Sequence, residues 1–359
     1  MRRSIRFLLI LSIVLLAAQF QPIESVDAAP CPPEGCAVFL PVVRTGGPML
    51  KIGLVTDTGG VNDGGFNESA WQAVLDAEGS LGVSGAYIES TGESDFSTNI
   101  DAFINQGYDL IITVGFSMGD ATKAAAQAHP SQKFTIIDVD YDPILPNVVG
   151  QAYSVEQPAF VSGYIAAGMT TTGKVATFGG LNIPPVTQFM NGYYQGVQYY
   201  NEQNETSVQV LGWDPATSEG EFTYEFVDIP TGKAKAQELL GLGADVIFPV
   251  AGQTGLGAAQ AVQEQANTWV IGVDYDWKVQ YPEYSDVVLT SVMKGTQANI
   301  YGIISKVYQG TFTGGTLQGT LANHGASLGT ISSAVPQALL DKAKLVKAGI
   351  IAGTIVVTP

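Results

Sequence analysis

From residue 49 onward the chain alternates two rhythms. Short apolar, β-branched runs read as strands at 51–56, 86–89, 110–114, 133–138, 148–152, 174–178, 208–213, 246–250, 269–273, 287–292 and 354–357. Between them apolar residues recur at helical spacing, as Ala70, Trp71, Val74 and Leu75 do within 67–78. The same rhythm predicts helices over 98–105, 119–128, 159–169, 188–201, 233–240, 256–265, 296–309 and 336–347, the last with Pro336 suited to its first turn. The continuous apolar run at 110–114 is what a parallel strand covered on both faces requires. Regular β-α alternation predicts an α/β protein with parallel-rich sheets. The strands are too many for one open sheet with short connections, so two Rossmann-like lobes of about six strands each are expected, joined by a hinge.

The first 48 residues break this rhythm. Arg2, Arg3 and Arg6 precede an apolar run over 7–18, too short to span a bilayer, which takes roughly 20 residues. Val26-Asp27-Ala28 then offers a cleavage site, so residues 1–28 read as a secretory signal and the protein as exported and extracytoplasmic, periplasmic or associated with the cell surface. Residues 29–48 read as a Pro/Gly-rich linker holding the two cysteines, Cys31 and Cys36. Export permits a disulfide between them. The alternative is a lipid anchor on Cys31, for which Ala28-Ala29-Pro30 makes a poor lipobox. No His/Cys cluster accompanies them, so no metal site is expected. A formal charge of −17 on 359 residues disfavours nucleic acid and anionic membrane surfaces as partners.

In parallel α/β sheets ligands bind beyond the carboxyl ends of strands, so the residues following each strand carry the candidate chemistry. After the first comes Asp57-Thr-Gly-Gly-Val-Asn-Asp63-Gly-Gly-Phe66-Asn67. Its glycines permit sharp turns. Phe66 is either a loop anchor or a stacking surface for a flat ligand; Asp57 is either a turn residue or a hydrogen-bond acceptor for one; Asn67 is a ligand group or a helix cap. Gly115-Phe116-Ser117-Met118-Gly119 matches G-x-S-x-G between strand and helix, the nucleophile elbow of hydrolases, and Asp274 and His324 follow in triad order. Too few strands precede Ser117 and no oxyanion segment lies upstream, so a serine hydrolase is the remote alternative and a non-enzyme the expectation. Gly252-Gln253-Thr254-Gly255 lacks the order of a dinucleotide or P-loop motif, and no cofactor is expected. Asp274, after 269–273, is placed to take vicinal hydroxyls or to act as a cap. Lys294, after 287–292, faces the cleft or the surface.

As an ordered set, Asp57-x-Gly-Gly-x-x-Asp63-x-x-Phe66-Asn67, Gly115-Phe116, Gly252-x-Thr254-Gly255, Ile271-Gly-Val-Asp274-x-Asp276 and Thr290-Ser-x-x-Lys294 resembles the basic membrane protein, or purine nucleoside receptor A-like, family of ABC transporter substrate-binding proteins, from residue 51 to the end. The resemblance implies a type I periplasmic-binding-protein fold. One lobe would take 49–153 plus about 291–313 and the other 154–290 plus about 314–359. It implies a monomer that holds a purine nucleoside between its lobes and presents it to a membrane permease. Phe66 and Phe226 would stack on opposite faces of the base, and Phe116 would be a further ligand-binding residue. Asp57 and Asn67 would address the base's polar edge. Asp274 and Lys294 would bind ribose hydroxyls, and Gly252 would contribute backbone. Gly64 departs from the family, where a lysine or similar polar residue is common. A sugar, flavin or signalling molecule in the same fold is the alternative ligand.

Overall fold

A computed structural model describes residues 49–359. The expected signal, the linker, Cys31 and Cys36 lie outside the described residues. No described helix is long and apolar enough to cross a membrane.

Two six-stranded sheets carry the fold. The first receives β1 (Lys51–Val55), β2 (Ser84–Ile88), β3 (Leu110–Val114), β4 (Lys133–Ile137) and β5 (Val148–Tyr153). The second receives β6 (Lys174–Gly179) and β7 (Gln209–Leu211). After a small hairpin of β8 (Trp213–Asp214) and β9 (Glu219–Gly220), it adds β10 (Val246–Val250), β11 (Trp269–Asp274) and β12 (Val288–Lys294). The chain then returns β13 (Gly315–Gly319) to the first sheet and ends the second with β14 (Ala326–Leu328). The orders β13-β5-β4-β3-β1-β2 and β14-β12-β11-β10-β6-β7 correspond position for position. All pairings in the two sheets are parallel except β12 with β14. The central strands β3 and β10 are buried along their whole length, as helix-covered parallel strands must be.

The chain therefore passes between sheets after Tyr153, at Gly295 and through 320–325. The two later crossings fall beyond the expected 291 and 314, because β12 runs to Lys294 in the second sheet and β13 pairs with β5 in the first. The crossings are laced together: Ser154 N donates to the Gly319 carbonyl (2.8 Å) and Gly295 N to that of Gly325 (2.8 Å). β13 and β14 escaped the sequence reading because they are short and only partly buried. The strand expected at 354–357 does not form: the segment is coil after helix Gln337–Ile351. Its end instead meets helix Pro184–Asn204, where Gln195 Nε2 donates to the Thr358 carbonyl. Pro336 sits just ahead of its helix rather than in the first turn.

Helix Glu156–Met169 lies directly on helix Pro184–Asn204, and glycines set the approach. A Cβ on Gly163 would overlap the carbonyl of Tyr193, and one on Gly196 that of Phe160. Backbone cannot move aside as a flexible side chain can. Gly196→Ala should therefore destabilise by about 2 kcal/mol through overpacking, although alanine is the better helix former by about 1 kcal/mol. Gly302→Ala, in helix Thr296–Tyr308 with open space at its Cβ, should be neutral or stabilising. Urea unfolding of the two variants checks the contrast.

Candidate functional site

The loop after β1 is organised by two carboxylates. Asp63 accepts from the backbone N–H groups of Gly65, Asn67 and Glu68 at 2.9–3.0 Å. It thereby satisfies donors at the start of helix Phe66–Leu81 that would otherwise lack partners. Capping thus falls to Asp63, and Asn67 is freed from it. Asn67 lies inside the first turn, where its Nδ2 donates to Asp57 Oδ1 (2.8 Å) and Asp63 Oδ2 (2.9 Å). Two carboxylates on the amide nitrogen fix the side chain's orientation, and its Oδ1 is left buried with no partner. Asp57 also accepts from Gly59 N (2.9 Å). The Gly115 backbone, at φ 109, lies where any Cβ would press on Asp57 Oδ2.

On the second sheet, Gly272 explains the motif around Asp274. The Trp277 indole packs where a Cβ at 272 would be, and its Nε1 donates to the Val273 carbonyl (3.0 Å). This tight return puts Asp274 in the left-handed region, φ 67. Asp276, two residues on, accepts from Thr330 N (2.7 Å) and Lys278 N (3.1 Å), a purely structural role. In β10, Pro249 has no N–H to give, and pairing with β11 stops at Ile247 while that with β6 continues to Val250. The two strands part where Val250 and Val273 line a cavity. Phe226 reaches the same cavity by packing over Gly180, where a Cβ would strike its ring, and its carbonyl accepts from Thr254 N (3.0 Å).

All eight residues expected at the site line one cleft of about 720 Å³ of empty space, part of it continuous with solvent: Asp57, Phe66, Asn67, Phe116, Phe226, Gly252, Asp274 and Lys294. Phe116 stands half-exposed at the rim. Ser117 lines the cleft too, but His129 and His324 do not.

Lys294 is the centre of charge. Its Nζ lies 2.7 Å from Asp138 Oδ2 and 3.6 Å from Asp274 Oδ1, with all three side chains largely buried. Rings surround it: the Phe66 centroid is 5.0 Å from Nζ, Phe189 5.3 Å and Tyr153 6.0 Å. Burial pulls the ammonium's pKa down, but the charges of Asp138 and Asp274 more than offset this and the net shift is upward. Burial raises Asp274 to about 6, against the pull of Lys294 and with the push of Asp138 and Asp63. Burial raises Asp57 as well, opposed by its hydrogen bonds from Gly59 and Asn67.

Asp138 and Phe189 were not anticipated. Asp138 follows β4, the counterpart of β11, and has the same left-handed backbone as Asp274, φ 65. The signal was legible: Ile137-Asp138-Val139-Asp140 repeats Val273-Asp274-Tyr275-Asp276 in the corresponding half. Phe189 falls in a helix at an apolar position, which nothing in the sequence separates from ordinary core.

Folding raises the pKa of Asp274, so the protonated form is favoured in the native state. Its contribution to stability is fully present below the ordinary value of 3.8 and lost as pH rises through about 6. Asp274→Asn removes this titration. The stability of the ligand-free protein relative to Asp274→Asn should fall by on the order of 3 kcal/mol between pH 4 and 7, then level off. Denaturant unfolding of both proteins across that range measures it.

A family model described as "ABC transporter substrate-binding protein PnrA-like" matches residues 50–326. The ABC transporter nucleoside-binding protein BmpA of Lactococcus lactis subsp. cremoris is 34% identical over 299 residues, covering 78% of this chain and 81% of that protein. Basic membrane protein A of Borreliella burgdorferi is 32% identical over 291 residues, covering 80% and 79%. Among solved structures, an ABC transporter solute-binding protein from Aeropyrum pernix K1 superposes with TM-score 0.78 at 26% identity, over 86% of this chain and 94% of that one. A lac repressor dimer shares the fold alone, with TM-score 0.56 at 16% identity over 80% and 82%. The chain belongs to the PnrA-like family of ABC transporter substrate-binding proteins, built on the two-lobed periplasmic-binding-protein fold.

Proposed function

We propose that this protein is an exported receptor that binds a purine nucleoside between its lobes, without turning it over, and hands it to an ABC permease. One observation carries the reading: a buried carboxylate–ammonium–carboxylate cluster, its ammonium 5.0 Å from the Phe66 ring centroid, lies inside a cleft that Phe226 lines from the other lobe. A flat heterocycle gains large buried area against aromatic rings at little entropic cost. Ribose hydroxyls donate to Asp138 and Asp274 and accept from Lys294, charge-assisted bonds stronger than neutral ones. Asn67 Oδ1, with no protein partner, suits an N–H donor on the base's edge. The curated relative named as nucleoside-binding supports the same ligand class.

The charge of the cleft narrows the class further. Asp57, Asp63, Asp138 and Asp274 stand against Lys294 alone among the lining side chains. A phosphate brought into that low-dielectric space meets repulsion that no cation is free to offset, so the ligand is the nucleoside and not the nucleotide. The hydrolase alternative is disfavoured by the Lys294 pairing of Asp274 and by the absence of a histidine beside Ser117 among the described residues.

Isothermal titration with adenosine, guanosine, inosine, their 5′-monophosphates, ribose and riboflavin tests this. At least one nucleoside should bind, and its monophosphate and free ribose should bind at least tenfold more weakly. Phe66→Ala and Asp274→Ala should each lower nucleoside affinity by about ten- to a hundredfold, the range set by losing a stacked ring or a charged hydrogen bond. Normal binding by both variants, or tight binding of ribose or riboflavin with no response to nucleosides, rejects the reading. Ester hydrolysis abolished by Ser117→Ala would replace it with the hydrolase.

A further inference from the structure

Two tyrosines of the second lobe hold the ligand loop of the first. Tyr281 lies beyond helix Trp277–Gln280, and its hydroxyl donates to the Gly64 carbonyl at 2.8 Å. Tyr275, directly after Asp274, lies 2.8 Å from that hydroxyl, Oη to Oη. The proton order follows from chemistry. A carbonyl only accepts, so the Tyr281 proton goes to Gly64, and Tyr275 must therefore donate to Tyr281. The result is a directed chain, Tyr275 to Tyr281 to Gly64, running from the second lobe to the first. Burial pushes the Tyr281 phenol up to about 12, so the hydroxyl remains a donor at neutral pH.

The receiving surface is shaped for these rings. Gly64 has φ 65, and a Cβ there would sit inside the Tyr281 hydroxyl. A Cβ on Gly65 would strike the Tyr275 ring. Behind the tyrosines, Trp277 meets Tyr281 edge-on with centroids 6.1 Å apart, and Tyr284 lies 6.5 Å from it. The tyrosines thus stand on a packed support, while Gly64 and Gly65 directly precede Phe66 and Asn67. Whatever fixes Gly64 fixes the backbone that aims those two side chains.

We propose that Tyr281, backed by Tyr275, is a positioning residue that latches the 57–67 loop across the cleft when the lobes close, so that Gly64 and Gly65 are required for closure rather than for loop flexibility. The latch touches no ligand. It sets how long the closed state lasts, and hence the rate at which ligand escapes. It rests on the receptor reading only in using a nucleoside as probe.

A double-mutant cycle tests it. Tyr281→Phe keeps the ring and removes the hydroxyl; Gly64→Ala adds the Cβ. Lobe separation is read by electron–electron distance measurement between spin labels on Asp101→Cys and Leu242→Cys, with Cys31 and Cys36 changed to serine, with and without adenosine. Adenosine dissociation is followed by stopped-flow tryptophan fluorescence. Tyr281→Phe should shift the distances toward separated lobes and raise the dissociation rate about fivefold, as loss of one hydrogen bond implies, with association nearly unchanged. Gly64→Ala should do more, at least tenfold, since the Cβ blocks docking. In the Tyr281→Phe background the same Cβ meets only the ring carbon, 3.4 Å away, so the alanine should cost less there. The backbone strain at φ 65 is common to both backgrounds and cancels. Additive effects, or unchanged distances in every variant, overturn the latch. If adenosine does not bind but the distances still shift in the coupled way, the latch stands and the ligand assignment fails.

Discussion

A lysine ammonium held between aspartates from two different sheets is the constraint on which the cleft depends. Lys294 closes β12 in the second sheet, yet its nearer partner is Asp138 at the end of β4 in the first. The pair therefore ties the lobes together at the floor of the cleft. Burying such charges costs several kcal/mol per ion, and only mutual attraction plus good geometry offsets it. Two carboxylates on one ammonium leave an excess of negative charge and of unfilled acceptor lone pairs. Asp274 lies farther from the ammonium, at 3.6 Å, and its carboxyl is raised first by burial, with the charges of Asp138 and Asp63 adding to it. A ligand that brings hydroxyl donors relieves the same imbalance without adding charge.

The repeated strand order places this chemistry twice. β4 and β11 occupy equivalent positions, and each ends in a left-handed aspartate followed by a second aspartate two residues on. Side chains at corresponding strand ends face one another when two such sheets meet across a cleft. A single lysine then suffices to serve both. The corresponding residue to Lys294 at the end of β5 is Tyr153, whose ring lies 6.0 Å from the ammonium. One half supplies the cation, and the other supplies an aromatic face to bury it.

Much of this was legible in the sequence, for a definite reason. Strand and helix periodicity comes from burial on one face or two, and β3, β10 and helix Gly119–Ala128 fall where the pattern puts them. The site residues stood out because a Phe or a lone Lys beside glycines at a strand end violates that pattern. Asp138 was missed because it looks like the polar terminus any strand has; only the comparison of the two halves marks it. Phe189 was missed because it obeys helical periodicity while serving the cleft. The segment at 354–357 misled because β-branched residues state a preference for extended backbone, while the chain here runs beside helix Pro184–Asn204, with Thr358 bonded to Gln195. The G-x-S-x-G at 115–119 misled for a related reason. Gly115 is needed for φ 109 against Asp57, and Gly119 opens a helix, so the motif's glycines serve local geometry and leave Ser117 without a catalytic context.

The glycines also bear on how the cleft is built. Around the site they are less hinges than sockets. Gly180 admits Phe226, Gly272 admits Trp277, Gly65 admits Tyr275 and Gly64 the Tyr281 hydroxyl. An aromatic ring seated on bare backbone has few alternative positions, so each socket fixes the segment that carries the ring. The three crossings are joined by backbone bonds, from Ser154 N to the Gly319 carbonyl and from Gly295 N to that of Gly325, and Gly319 and Gly325 approach too closely for side chains. Groups from the two lobes meet at the Lys294–Asp138 pair and at the tyrosine chain on Gly64.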